Sequence, residues 1–294
     1  MIQNQTIVLT GASSGIGLEV LRILAKGEGN VILAVSRHAE QALSTFADNV
    51  IPFNMDVGSK EGVDAVFEKA NEVFGGRKID IFYANAGYPY YEEFNYEDWD
   101  RVKRMFDTNT FSPIYTYAKY IHHLDGREGT LAITVSAIGQ MAMPGYAIYS
   151  ASKFAVQGFQ QAIRLEKPKN LQITCLYPVA TDTNFFRVAN EVPFEKPFPV
   201  QQPDVVARKM VAGIESGAKF VSPSPLFGLS KVLMGVCPPV RTVYWALENA
   251  KLNRFKEKLQ TLKKDAAVVG KEALDFGKEA VEKSKEAIET ALKK

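Results

Sequence analysis

Thr10-Gly11-Ala12-Ser13-Ser14-Gly15-Ile16-Gly17 follows directly on the apolar run Thr6–Thr10 and forms a glycine-rich turn opening a helix. Glycine permits the tight turn and lets the backbone approach a bulky anion. Free N–H groups and the positive end of the following helix favour a pyrophosphate there. The spacing departs from the commoner G-x-G-x-x-G form, yet its place after the first strand of a βαβ unit points to dinucleotide binding. Taken alone, the turn could equally be a plain strand-to-helix connection.

Further apolar runs at Val31–Ser36, Val50–Phe53, Ile79–Ala84, Leu131–Ser136 and Leu171–Tyr177 are continuous rather than alternating. That pattern predicts parallel strands buried on both faces. Helical patterns over Gly15–Lys26, Lys60–Phe74, Trp99–His122 and Ala147–Leu165 lie between them. The alternation predicts a three-layer, doubly wound parallel α/β sheet, the Rossmann fold, as a single domain over residues 1–225. Within it, 181–203 carries Pro193, Pro197, Pro199 and Pro203 and is expected to leave the sheet as a loop or short-helix excursion that could cover a substrate.

Residues 226–249 are apolar but interrupted by Lys231, Pro238, Pro239 and Arg241, too broken for a transmembrane span, and could form a substrate-pocket wall, an oligomer contact or a shallow membrane contact. From 250 to 294 the chain reads as a Lys-rich amphipathic helix, its apolar positions stepping by three and four from Leu252 to Ala280 and Lys-Glu-Ala recurring at 271, 278 and 285. That tail could pack on itself, engage a partner or lie on a membrane surface, and peripheral membrane contact through 226–294 is one expectation.

A net charge of +2 gives no strong field, which argues against nucleic-acid binding. Two cysteines and three histidines supply neither a disulfide framework nor a metal constellation, so no metal is expected and a reducing, cytoplasmic setting fits. The opening residues 1–6 lack the basic start and apolar stretch of a signal peptide.

Where the second strand ends, a carboxylate would ordinarily meet the ribose 2′-hydroxyl of NAD(H); here stand Ser36 and Arg37. A guanidinium pairs with a 2′-phosphate and stacks on adenine, so NADP(H) is expected over NAD(H), although nearby Glu40 runs against it. Asp56 and Val57 are placed to meet the adenine. Asn85-Ala86-Gly87, after the fourth strand, has the small residues needed for close packing under the cofactor.

Tyr149 and Lys153 lie four apart on a helix and share one face. An ammonium beside a phenol favours the phenolate, which suits general acid/base work near neutral pH. Ser136, at the expected end of the fifth strand, offers a hydroxyl to a substrate oxygen, and Asn109 sits in a helical stretch where an amide suggests a held water or a local bend. The ordered set of Thr10-Gly-x3-Gly-x-Gly17, Asn85-Ala-Gly87, Asn109, Ser136 and Tyr149-x3-Lys153 resembles the short-chain dehydrogenase/reductase family over roughly residues 5–225.

The resemblance implies that Tyr149 exchanges a proton with the substrate oxygen while hydride moves at nicotinamide C4. It also implies that Lys153 holds the nicotinamide ribose and lowers the tyrosine pKa, that Ser136 orients the substrate, and that Asn109 positions a relay water. Gly11, Ser13, Ser14, Gly15, Ile16 and Gly17 would cradle the cofactor phosphates, with Thr181 and Thr183 near the nicotinamide amide and phosphates. Ala84 and Val179 depart from the family's usual Asn and Gly, and the second change bears on the nicotinamide end. A homodimer or homotetramer through the Trp99–His122 and Ala147–Leu165 helices is further implied.

The expected activity is therefore NADP(H)-dependent interconversion of a carbonyl and a secondary alcohol. Tyr88, Tyr90, Tyr91, Phe94, Met141, Met143, Tyr146, Phe185 and Phe186 fall near the crevice and favour an apolar, lipid-like substrate. The alternative is a noncatalytic NADP(H)-binding regulator or scaffold acting through its C-terminal helix.

Overall fold

The structure, a computed structural model, describes residues 1–190, 192–237, 239–262 and 264. It falls into two compact units, Met1–Glu248 and Asn249–Lys294. Of the second unit, 249–262 are helical. The expected amphipathic positions from Ala266 onward, with the Lys-Glu-Ala repeats, lie outside the described residues.

In the first unit the strands are β1 (Thr6–Thr10), β2 (Val31–Ser36), β3 (Val50–Asn54), β4 (Ile81–Ala84), β5 (Gly129–Thr134), β6 (Leu171–Leu176), β7 (Ala180–Thr181), β8 (Val200–Gln201) and β9 (Phe220–Val221). Seven of them form one parallel sheet in the order β3-β2-β1-β4-β5-β6-β9. The order reverses at β1 and β4, the switch point at which doubly wound sheets open a crevice. Register aligns Val8 with Leu33 on one side and Phe82 on the other.

The helices are α1 (Gly15–Leu24), α2 (Ala39–Ala42), α3 (Lys60–Val73), α4 (Trp99–Phe106), α5 (Ser112–Leu124), α6 (Ala147–Glu166), α7 (Phe185–Ala189), α8 (Pro203–Glu215) and α9 (Pro225–Val236). Two apolar layers sandwich the sheet. Ile7 and Leu9 of β1 join Leu21 and Leu24 of α1 and Met210 and Ile214 of α8. The intervening Val8 faces the opposite layer with Phe67 of α3, Tyr120 of α5 and Val156 and Ile163 of α6. Burial on both faces is why these strands read as unbroken apolar runs.

Some expected boundaries move. β5 stops at Thr134, leaving Ser136 in the loop beyond it. The expected Trp99–His122 helix is two helices joined by a π turn over Asp107–Phe111. Inside the expected 181–203 excursion the chain forms α7 and returns as β8 to pair with β7, Ala180 against Val200. Among the described residues no helix is long and apolar enough to cross a membrane.

Candidate active site

A cleft of about 610 Å³ opens along the carboxyl ends of the central strands. Every residue expected to act in catalysis or cofactor binding borders it except Asn109, which is buried outside its lining. At one end the glycine turn makes a bare cradle. Gly11 and Gly15 have φ of +68° and +56°, angles that side chains strain. At Gly17 a Cβ would stand 2.1 Å from the Gly11 carbonyl oxygen. The residues present thus fit a cofactor that needs close backbone approach; Ser13, Ser14 and Ile16 complete the turn's border.

Asn85 fixes this floor. Its Nδ2 donates to the Thr10 and Gly11 carbonyls at 3.2 and 3.4 Å, and its Oδ1 accepts from the Thr134 hydroxyl at 2.9 Å. Thr10 Oγ1 in turn accepts from the amides of Asn85 and Ala86 at 3.0 and 3.1 Å. The ends of β1, β4 and β5 are thereby joined.

Arg37 stands exposed at the cleft after β2, beside His38. Glu40, which the sequence set against it, is engaged elsewhere: Asn54 Nδ2 donates to its carboxylate at 2.8 Å and Asn54 Oδ1 accepts from its amide at 3.0 Å. Asp56 accepts from the Gly58 amide at 2.8 Å and borders the cleft with Val57. From the other wall Arg104 of α4 also reaches the cleft. The sequence reading missed it, because an arginine within Arg101–Lys103–Arg104 looks like any solvated helix face. Asp107, next along, is neutralised by Lys103 at 2.7 Å.

At the other end α6 presents Tyr149 and Lys153, 7% and 3% exposed. Lys153 Nζ donates to the Thr134 carbonyl at 3.0 Å and lies 6.0 Å from the Tyr149 ring centroid. Burial pushes the Tyr149 hydroxyl up to about 12, with the Ser136 hydroxyl opposing the shift. Burial pulls the Lys153 ammonium down to about 8. Both groups are dry, and removal from water, which disfavours each charged form, is the largest cause of both shifts.

Ser136 has φ of +94° and ψ of +148°, a region that non-glycine residues occupy at a cost. The loop is held there because the amides of Val135 and Ser136 both donate to the Leu176 carbonyl and that of Ala137 donates to Pro178. This places the hydroxyl at the cleft beside Tyr149.

Asn109 is fully buried in the π turn. Its Oδ1 accepts from the Tyr88 amide at 3.0 Å, while Nδ2 donates to the Tyr88 carbonyl at 2.8 Å and to Ser152 Oγ at 3.3 Å. It therefore ties the loop after β4 to α6. A Cβ on Gly87 would fall 2.8 Å from Asn109 Oδ1 and 3.5 Å from Lys153 Nζ, so this glycine lets the two stand close.

Thr181 Oγ1 donates to the Val179 carbonyl at 3.0 Å, and Thr183 Oγ1 accepts from the Phe185 amide at 3.2 Å. Phe185 sits edge-on to Tyr149 at 5.8 Å, and Tyr88, Tyr90, Met141, Met143, Tyr146 and Phe186 share the border. Tyr91 and Phe94 do not reach it: Tyr91 stacks on Phe194 at 4.1 Å, and Phe94 meets Tyr96.

A parallel sheet with its switch-point cleft, a glycine cradle at one end and a buried Tyr–Lys pair at the other, defines a protein of the doubly wound dinucleotide-binding fold class. The chain belongs to the short chain dehydrogenase family, whose sequence profile matches residues 5–192. It is 31% identical to a 3-dehydrosphinganine reductase of Danio rerio over 72% of this chain and 68% of that protein. It is 32% identical to an uncharacterized oxidoreductase, YxnA, of Bacillus subtilis over 63% of this chain, a match spanning about half (54%) of that relative. In fold it is similar to a Burkholderia phymatum short chain dehydrogenase/reductase in complex with NAD, with TM-score 0.68 at 19% identity, covering 80% of this chain and 94% of that one. A Sphingobium yanoikuyae short-chain dehydrogenase in complex with NADPH gives TM-score 0.64 at 23% identity over 79% and 95% of the two chains.

Proposed function

We propose that this chain is an NADP(H)-dependent oxidoreductase that interconverts a carbonyl and a secondary alcohol on an apolar substrate. The observation that carries the reading is the meeting of Tyr149, Lys153 and Ser136 at one end of a cleft whose other end is a side-chain-free cradle. The nicotinamide, when bound, supplies or accepts the hydride.

The chain's own groups handle the proton. A tyrosine held near 12 is protonated at neutral pH, so in the reducing direction Tyr149 Oη has a proton to give to the substrate oxygen. The phenolate left behind would be costly in this dry setting. Lys153, charged below about 8, and the Ser136 hydroxyl stabilise it as it forms. Asn109 serves as a positioning residue, fixing Tyr88 and Ser152 around that end. A noncatalytic regulator would need none of this buried polar machinery.

Two guanidiniums on facing walls, Arg37 and Arg104, support a phosphorylated adenosine ribose. Neither has a carboxylate partner among the ion pairs of the described residues. Exposed Trp99, Phe111 and Phe154, at 79%, 55% and 43%, support association with a second copy through the α4 to α6 face. The decisive experiment follows NADPH oxidation across a panel of aryl and aliphatic ketones with wild type and Tyr149→Phe. The substitution should cut the rate by roughly 10²–10⁴-fold; an unchanged rate would sink the assignment.

A further inference from the structure

We infer that α9 is a lipid-facing element that seats the chain on an anionic bilayer, with the substrate cleft immediately behind it. The helix is apolar along most of its length, Pro225-Leu-Phe-Gly-Leu-Ser-Lys-Val-Leu-Met-Gly-Val236, yet only Phe227 is buried. At 100° per residue Leu226, Leu229, Val232, Leu233 and Val236 fall on one continuous arc. They are 46%, 67%, 66%, 49% and 80% exposed. Phe227, turned to the opposite side, borders the cleft. The same helix therefore offers one side to the cleft and a bare aliphatic surface to the outside. Farther along, Val243 and Leu247, four residues apart on the helical stretch 239–248, are 59% and 60% exposed.

Charge selects the occupant. Between Glu215 and Glu248 the chain has no acidic residue, while Lys219 and Arg241, on either side of the helix in sequence, are basic; Lys231 turns away from the arc, on the Phe227 side, and donates to Gln140 Oε1 at 2.6 Å. An aliphatic arc flanked along the chain by cations and by no anion matches the boundary of a bilayer with negative headgroups, where leucines enter the acyl region and cationic groups stay at the surface. A second copy docking through the same segment would bring no counter-charge to Lys219 and Arg241, a poor self-complementary contact. The inference goes beyond the oxidoreductase reading and does not need it.

The test is cosedimentation of the full chain with phosphatidylglycerol–phosphatidylcholine vesicles, comparing wild type with Leu229→Asp/Leu233→Asp and, separately, Val232→Ser/Val236→Ser. Native mass and circular dichroism of each variant are recorded without vesicles. Wild type should pellet, and the Asp pair should lower the partition coefficient roughly tenfold or more through lost apolar burial. The Ser pair should give an intermediate loss. Equal pelleting of wild type and both folded variants would overturn the inference and move lipid binding to residues 250–294. A wild type that stays in the supernatant would also overturn it, and an accompanying fall in native mass in the Asp pair would assign the arc to a second copy instead.

Discussion

Lys153 illustrates how a site residue can work against the fold that carries it. Its ammonium is 3% exposed, and burial lowers its pKa from 10.5 to about 8. The folded chain therefore binds fewer protons than the unfolded chain between those values, so the penalty is complete below pH 8 and disappears as pH rises towards 10.5. A shift of this size corresponds to on the order of 3 kcal/mol, and the bond to the Thr134 carbonyl returns about 1 kcal/mol of it. Lys153→Met should accordingly raise the free protein's unfolding free energy by about 2 kcal/mol at pH 7. The gain should shrink between pH 8 and 10, read from denaturant melts of both proteins at each pH. Ser136 stores a smaller strain. Ser136→Gly should stabilise by about 1 kcal/mol while losing carbonyl reduction, and Ser136→Ala should lose the same activity without the stability gain. Neither behaviour could be read from the sequence, where Tyr149 and Lys153 show only their spacing and Ser136 continues an apolar run. What makes them special is the water they have lost and the backbone angle they hold.

Among the elements, those whose burial is two-sided were legible and those shaped by a local exception were not. Val31–Ser36 and Thr6–Thr10 coincide with β2 and β1 because every position but the ends of β2 is buried. β9 escaped notice because it is two residues long and leaves Phe220 54% exposed at the sheet edge. The π turn at Asp107–Phe111 escaped because one extra residue in a turn leaves the apolar spacing of its helices almost unchanged. Asn109 was nonetheless a usable signal, since an amide in a helical stretch suggested a bend. Asn109→Ala should leave the Tyr88 amide and carbonyl without their partners and cost about 2–4 kcal/mol. Its kcat should fall more than its KM, and steady-state kinetics beside a thermal melt would show both. The glycine cradle is less tolerant. With a Cβ placed 2.1 Å from one carbonyl and 2.7 Å from Asn85 Nδ2, Gly17→Ala should abolish NADPH fluorescence enhancement and lower Tm, even though the substitution improves helix propensity.

For the molecule as a whole, the cleft holds the exposed guanidiniums apart from the buried tyrosine and lysine proposed to handle the proton. Arg37 and Arg104 occupy the end that would take the adenosine, and the buried pair occupies the other. Arg37→Gln should weaken binding of 2′,5′-ADP roughly tenfold or more, as expected for loss of a charge-assisted contact of about 1.5–3 kcal/mol, and should leave 5′-AMP unchanged; titration calorimetry separates the two. A loss for both nucleotides would mean that Arg37 only tunes the general field.

The two ends are not mechanically independent. Asn85 joins the carbonyls of Thr10 and Gly11 to the Thr134 hydroxyl, and the Thr134 backbone carbonyl holds Lys153. Five residues thus form a chain of contacts from the glycine cradle to the ammonium. A ligand that shifted the turn on settling would shift the lysine's partner with it, and affinity at one end and proton affinity at the other would then be linked quantities, each reporting on the other.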